Sequence, residues 1–107
     1  MIKKCLILEC QKKIQRIAYE QIYYFHYQDG AITIHLTGNK TVLHCLCLKD
    51  LEAKLPVCFT RLNRNVIINL NHVSAYFKAS QKVVMENGQE FDVSRRNIVF
   101  LMEKLLA

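Results

Sequence analysis

Phe59-Thr60-Arg61-Leu62-Asn63-Arg64-Asn65-Val66-Ile67-Ile68-Asn69-Leu70-Asn71-His72 changes character twice. A run of guanidinium and amide side chains, Arg61 to Asn65, gives way to the apolar strand Val66-Ile67-Ile68, and amides return at Asn69 and Asn71. Arginine pairs bidentately with guanine, asparagine with adenine, and both bind phosphate, so a loop that displays them suits a DNA groove. The same asparagines equally suit turns, because their short amides tolerate left-handed backbone. The pattern predicts a strand over 61–70 paired with a second over 73–78.

Working outward, the chain is punctuated by hairpin chemistry. Asp29-Gly30 follows an aromatic run ending at Tyr27 and precedes Ala31 to Leu36, where Ile32, Ile34 and Leu36 alternate with Ala31, Thr33 and His35. This reads as a half-buried strand after a tight turn. Gly38-Asn39 leads into Lys40 to Cys45, and Asn87-Gly88 separates Lys82–Glu86 from Gln89–Val93. Cys5–Glu9 and Lys13–Ala18 form a further predicted pair of strands. Two segments break the period of two: Leu48, Leu51 and Leu55 are spaced as one face of a short amphipathic helix closed by Pro56, and Ile98, Leu101, Met102 and Leu105 mark a terminal helix over 95–106. Ser94 stands at its expected N-cap. The architecture expected is mostly β, with two helices covering sheet faces or edges.

Composition bounds the function. The 107 residues fit one domain, 51% are hydrophobic and 22% charged, and this balance favours a folded core over disorder. No apolar run approaches the roughly 18 residues of a membrane span, and the N-terminus lacks a secretory apolar region, so a soluble cytoplasmic protein is expected. Five cysteines, at 5, 10, 45, 47 and 58, lie among leucines and isoleucines and read as reduced thiols used as small apolar residues, with Leu43, Leu46 and Leu48 around Cys45 and Cys47. The net charge is +6, and the segment 55–85 contains Arg61, Arg64, Lys78 and Lys82 without any acid, a candidate anion-facing surface. Arg95 and Arg96 occupy the first turn of the last helix, where the helix dipole disfavours cations by roughly 0.3 to 1 kcal/mol each. A docked anion would reverse that sign; solvation, or pairing with Glu90 and Asp92, is the alternative.

The chain from Phe59 to Leu70 resembles the strand and turn that mark the LytTR DNA-binding domain, the output module of many bacterial response regulators. The likeness extends to Leu48-Lys49-Asp50-Leu51 through Leu55-Pro56 as the short helix before that strand, and to Asn87-Gly88 as a hairpin. Phe91-Asp92-Val93-Ser94-Arg95-Arg96 resembles the entry to the terminal helix, and Ile22-Tyr23-Tyr24-Phe25 the strand before the first DNA-contacting loop. Order and spacing match over roughly residues 10–106. The resemblance implies an elongated arrangement of small antiparallel β-sheets, with a short amphipathic helix and a C-terminal helix, that inserts loops into successive DNA grooves. By position, Arg64 matches the arginine of the family's turn and Arg96 the arginine that reaches bases from the helix start. Asn63 and Asn65 stand where the family usually has His and Ser, and Gln28-Asp29-Gly30 occupies the other base-facing loop.

The expectation is one LytTR-like domain over 1–107, without a receiver domain in these residues. It binds double-stranded DNA sequence-specifically to regulate transcription, either as the output domain of a two-component response regulator or as a stand-alone regulator. Its expected DNA-binding residues are Gln28, Gly30, Asn63, Arg64, Asn65, Lys78, Arg95 and Arg96. Paired half-sites, dimerisation on DNA and an upstream receiver or histidine-kinase pathway follow from the resemblance. No cofactor or metal is expected: Cys45 and Cys47 would share a strand face that His44 does not, and no second cysteine pair follows at finger spacing. No enzyme is expected either, since phosphate-cradling glycine loops and nucleophile elbows are missing. A protein-interaction module is the alternative, as is a single-stranded RNA-binding β-module using Tyr23, Phe25 and Tyr27 as a stacking row.

Overall fold

The computed structural model describes residues 4–45 and 47–106. Among the described residues, ten strands run in the order β1 (Cys5–Cys10), β2 (Lys13–Ala18), β3 (Ile22–Gln28), β4 (Ala31–Leu36), β5 (Lys40–His44), β6 (Phe59–Asn63), β7 (Val66–Asn69), β8 (Val73–Phe77), β9 (Lys82–Met85) and β10 (Glu90–Asp92). Helix α1 (Leu48–Lys54) precedes β6, and α2 (Arg95–Leu106) ends the chain. Pairing is antiparallel throughout and divides the strands into a β1-β2 ribbon, a five-stranded sheet ordered β5-β4-β3-β7-β6 and a three-stranded sheet ordered β10-β9-β8. The extents of 46 × 34 × 26 Å describe an elongated body.

The central strands β3 and β7 of the five-stranded sheet alternate between two cores, one on each face. Phe25 and Ile67, which pair across β3 and β7, join Ile32, Ile34, Leu51, Phe59 and the inward Leu6, Leu8 and Ile17 of the ribbon. Their neighbours Tyr24, Val66 and Ile68 join Leu62, Val83, Met85 and Leu101 of α2 on the other face. Ile22 would share a face with Tyr24 in a regular strand, yet it packs in the core of Phe25. A register shift between Ile22 and Tyr24 explains this, because one extra residue moves everything before it to the opposite face. Phe25, Ile22 and Ile68 are each fully buried, and each such side chain contributes about 1.5 to 3 kcal/mol relative to exposure.

Two expectations are corrected. Residues 59–69 are a hairpin of their own, not one strand, and Val73–Phe77 pairs with β9 instead. The reversal is made by Asn63, whose Oδ1 accepts the Asn65 N–H at 2.9 Å, and Asn69 repeats the device by accepting the Asn71 N–H at 3.0 Å. The amides that looked like one reading loop therefore turn the chain at both ends of β7. The second correction concerns the thiols. Cys45 and Cys47 are exposed, and Leu43 on the edge strand β5 is 70% exposed, so the apolar neighbours do not bury them. Leu46 lies outside the described residues, as does the side chain of Cys10. Cys58 is half-buried, and burial pushes its thiol up from the usual range. Iodoacetamide at about pH 8 will accordingly label Cys45 and Cys47 well before Cys58, since the thiolate is the reacting form. Peptide mapping by mass spectrometry checks the order, and equal rates would contradict this burial.

Candidate nucleic-acid interface

Three turns and the start of α2 are brought to one end of the molecule by backbone hydrogen bonds. Tyr27 N–H donates to the Asn65 carbonyl at 2.8 Å, which sets the β3-β4 turn beside the β6-β7 turn. Ser94 N–H donates to the Leu62 carbonyl at 2.9 Å and joins the start of α2 to the end of β6. Val93 N–H reaches the Gln81 carbonyl at 3.1 Å and brings in the β8-β9 turn. The Asn87-Gly88 turn lies at the far end, where His72 places one ring nitrogen 2.6 Å from Glu86 Oε1 and the other 2.6 Å from the Glu20 carbonyl.

At the near end, Arg64 and Arg96 line one open groove of about 720 Å³ together with Asn63, Arg61 and Glu52. Both arginines are exposed, as is Asn65. Side chains bolt the two halves of the groove. Asn63 Nδ2 donates to the Asp92 carbonyl at 2.8 Å, while Asn97 Nδ2 donates to the Leu62 carbonyl at 3.1 Å and to Ser94 Oγ at 2.6 Å. Ser94 opens α2 by accepting the Asn97 N–H on its carbonyl, while its Oγ accepts the Asn97 side-chain amide rather than a helix backbone N–H. With both ends of its amide engaged, Asn63 acts here as a turn former.

The remaining expected residues surround this groove. Gln28 and Gly30 are exposed on the β3-β4 turn, where Asp29 and Gly30 both take positive φ, 52° and 83°. Lys78 is exposed on the β8-β9 turn and Arg95 at the first residue of α2. Among the described residues neither Arg95 nor Arg96 is paired with a carboxylate; Asp92 lies 3.9 Å from Lys82 instead. The pairing alternative for these two arginines is therefore not what the structure holds. The aromatic row is likewise unavailable for stacking bases, because Phe25 is fully buried and Tyr23 packs edge-on against His72 at 4.9 Å.

A family model described as the LytTr DNA-binding domain matches residues 12–106. The chain belongs to the LytTR family. This LytTR domain is 33% identical over 94 residues to the sensory transduction protein LytT of Bacillus cereus and 32% identical to that of Bacillus anthracis. Each match covers 84% of this chain but 38% of the relative's length. Among solved structures, a LytTr DNA-binding domain from Bacillus cereus superposes with a TM-score of 0.75 at 25% identity, covering 98% of both chains. The mostly β architecture of small antiparallel sheets is thus the family's, and the family is one of DNA binding in regulation rather than of catalysis. No helix among the described residues is long and apolar enough to cross a membrane.

Sequence reasoning named Arg61 without giving it a place among the site residues, and missed Asn97 and Glu52. Arg61 stood in the run of guanidinium and amide side chains and in the acid-free segment, but the register shift between Arg61 and Asn63 hides from local pattern which way it turns. Glu52 was hidden because it comes from α1, and no local pattern relates a helix to the turn it will touch.

Proposed function

We propose that this LytTR domain binds double-stranded DNA sequence-specifically and regulates transcription, in the cytoplasm and without catalysis. Arg96 and Arg64 read bases, Arg95 and Lys78 hold phosphates, and Asn65, the Asn63 turn and the Gln28–Gly30 turn complete the contact. The observation that carries this reading is the convergence of Arg64 and Arg96, 32 positions apart by their numbers, on one groove whose two walls are hydrogen-bonded together. Guanidinium forks held in a fixed relation can discriminate base edges, whereas freely moving ones would mainly neutralise phosphate. Selection of bound duplexes from a random pool tests it directly.

Affinity for duplex DNA will fall steeply with salt, with a log–log slope near −0.9 per phosphate neutralised and about four to six phosphates contacted. A titration across several salt concentrations measures the slope. A flat response would favour a protein-interaction module instead.

One domain covers a half-site, and two copies dimerise on DNA about one helical turn apart, since a domain of this size buries only a single-module footprint. Inserting five base pairs between the half-sites will rotate them by about half a turn and abolish cooperative protection in footprinting. Unchanged affinity for the lengthened site would reject the paired arrangement. The relatives named as sensory transduction proteins are longer than this chain, and their name supports a place downstream of a receiver domain or histidine-kinase pathway.

A further inference from the structure

We propose that Arg61 governs the sequence selectivity of this end of the domain without touching DNA: it is a positioning residue that holds the β6-β7 turn in the shape that presents Arg64. The proposal rests on the reading of Arg64 as a DNA contact. Arg61 Nε donates to the Asn63 carbonyl at 3.2 Å and Nη2 to the Arg64 carbonyl at 2.9 Å, while Nη1 lies 3.6 Å from Glu52 Oε1. Each nitrogen of the fork thus faces an oxygen, two from the turn and one from α1. The turn needs such support, because the β6-β7 register shifts between Arg61 and Asn63, where regular strand pairing breaks off. The Arg61 side chain is 27% exposed, whereas Arg64 beside it is exposed.

The geometry assigns the two arginines opposite tasks. A guanidinium whose nitrogens are turned inward onto carbonyls and a carboxylate has few donors left for a base edge, whereas the side chain of Arg64, whose backbone oxygen is one of those gripped, makes no ion pair among the described residues. Only a planar fork can reach both carbonyls and the carboxylate together; a lysine ammonium, one point charge on a flexible stem, cannot. Glu52 does not serve as a DNA ligand in this arrangement. It anchors the fork and ties the turn to α1, and its negative charge keeps Arg61 from turning outward to phosphate.

The test compares Arg61→Lys, Arg61→Ala and Glu52→Gln with the unaltered domain, on a selected duplex and on a random duplex of equal length, across several salt concentrations. For Arg61→Lys the ratio of the two affinities should fall about tenfold, the scale of one well-placed base contact, while random-duplex affinity and the salt slope hold. Amide exchange at Asn65, whose N–H is held by Asn63 Oδ1, should rise in the same variant with the core amides unchanged. Glu52→Gln should lower the ratio in the same direction by less, and it serves in place of the arginine variants if these lose their circular dichroism. If Arg61→Lys behaves as the unaltered domain while Arg61→Ala weakens both duplexes equally and lowers the slope by about one unit, Arg61 is a phosphate contact and the positioning role is wrong. Should the unaltered domain not prefer the selected duplex at all, the DNA reading of Arg64 fails first, whereas a preference that survives every variant overturns only the role given to Arg61.

Discussion

Asn69→Ala will destabilise the domain by about 3 kcal/mol, from lost hydrogen bonds to buried groups together with a small cavity. Asn69 is 0% exposed, and its side chain satisfies three separate backbone groups. Nδ2 donates to the Tyr19 carbonyl at 3.1 Å and to the Ile22 carbonyl at 3.0 Å, and Oδ1 accepts the Asn71 N–H at 3.0 Å. It thereby fastens the end of β7 to the turn between the N-terminal ribbon and β3. Alanine takes one donor from each of the buried Tyr19 and Ile22 carbonyls, the first of which keeps the Ile22 N–H, and frees the N–H of the exposed Asn71; a buried group left short of a partner costs about 1 to 3 kcal/mol. Against a total stability of about 5 to 15 kcal/mol, that is a large fraction. Urea denaturation measures it, and a loss below about 1 kcal/mol would mean that water enters and takes over the amide's partners. Asn69→Asp separates donors from shape: it keeps the acceptor for Asn71 but sets carboxylate oxygen against two carbonyls, so it should be at least as damaging near neutral pH.

Arg96→Ala will remove about 1 to 3 kcal/mol of binding to the selected site and relax the preference at a single base position, with the circular dichroism spectrum unchanged. The expectation follows from its setting. Arg96 is exposed in the first turn of α2, where the dipole opposes a cation, and it faces the groove without a carboxylate partner among the described residues. Arg64→Ala should relax the preference at a second position; if it instead weakens all sequences alike and lowers the salt slope by about one unit, Arg64 holds phosphate alone. A panel of single-base changes, titrated with each variant, assigns both roles. Equal weakening of every sequence by Arg96→Ala would reduce that residue to a phosphate anchor.

Much of the fold was legible along the chain because its elements are closed by local chemistry. Asp29-Gly30 supplies positive φ for the β3-β4 turn, and Gly38-Asn39 does so before β5, at 75° and 57°. The leucine spacing from Leu48 marked α1, and the apolar spacing after Ser94 marked α2 over Arg95–Leu106. The β6-β7 hairpin was misread because Arg61-Leu62-Asn63-Arg64-Asn65 contains neither glycine nor proline, and its reversal depends on one Asn63 side chain bonding the backbone two residues on. The cysteines were misread for a related reason: leucine neighbours in sequence signal burial only when the sheet has another layer to offer. At β5, an edge strand, Leu43 is left 70% exposed.

Sequence alone determined the family, the strand and helix types and the residues able to recognise an anion or a base, because hydrophobic period, turn chemistry and side-chain donors are properties of short segments. Tertiary structure alone decided which of those residues act together. Arg64 and Arg96 share a groove because the Leu62 carbonyl binds Ser94 N–H and Asn97 Nδ2. Asn63 and Asn69 became structural because partners 29 and 50 positions away, Asp92 and Tyr19, claimed their amides. Arg61 turned inward because α1 placed Glu52 beside it. A hydrogen-bonding side chain takes whichever partner the packed chain leaves within about 3 Å, and that choice is made by contacts between segments that no local pattern records.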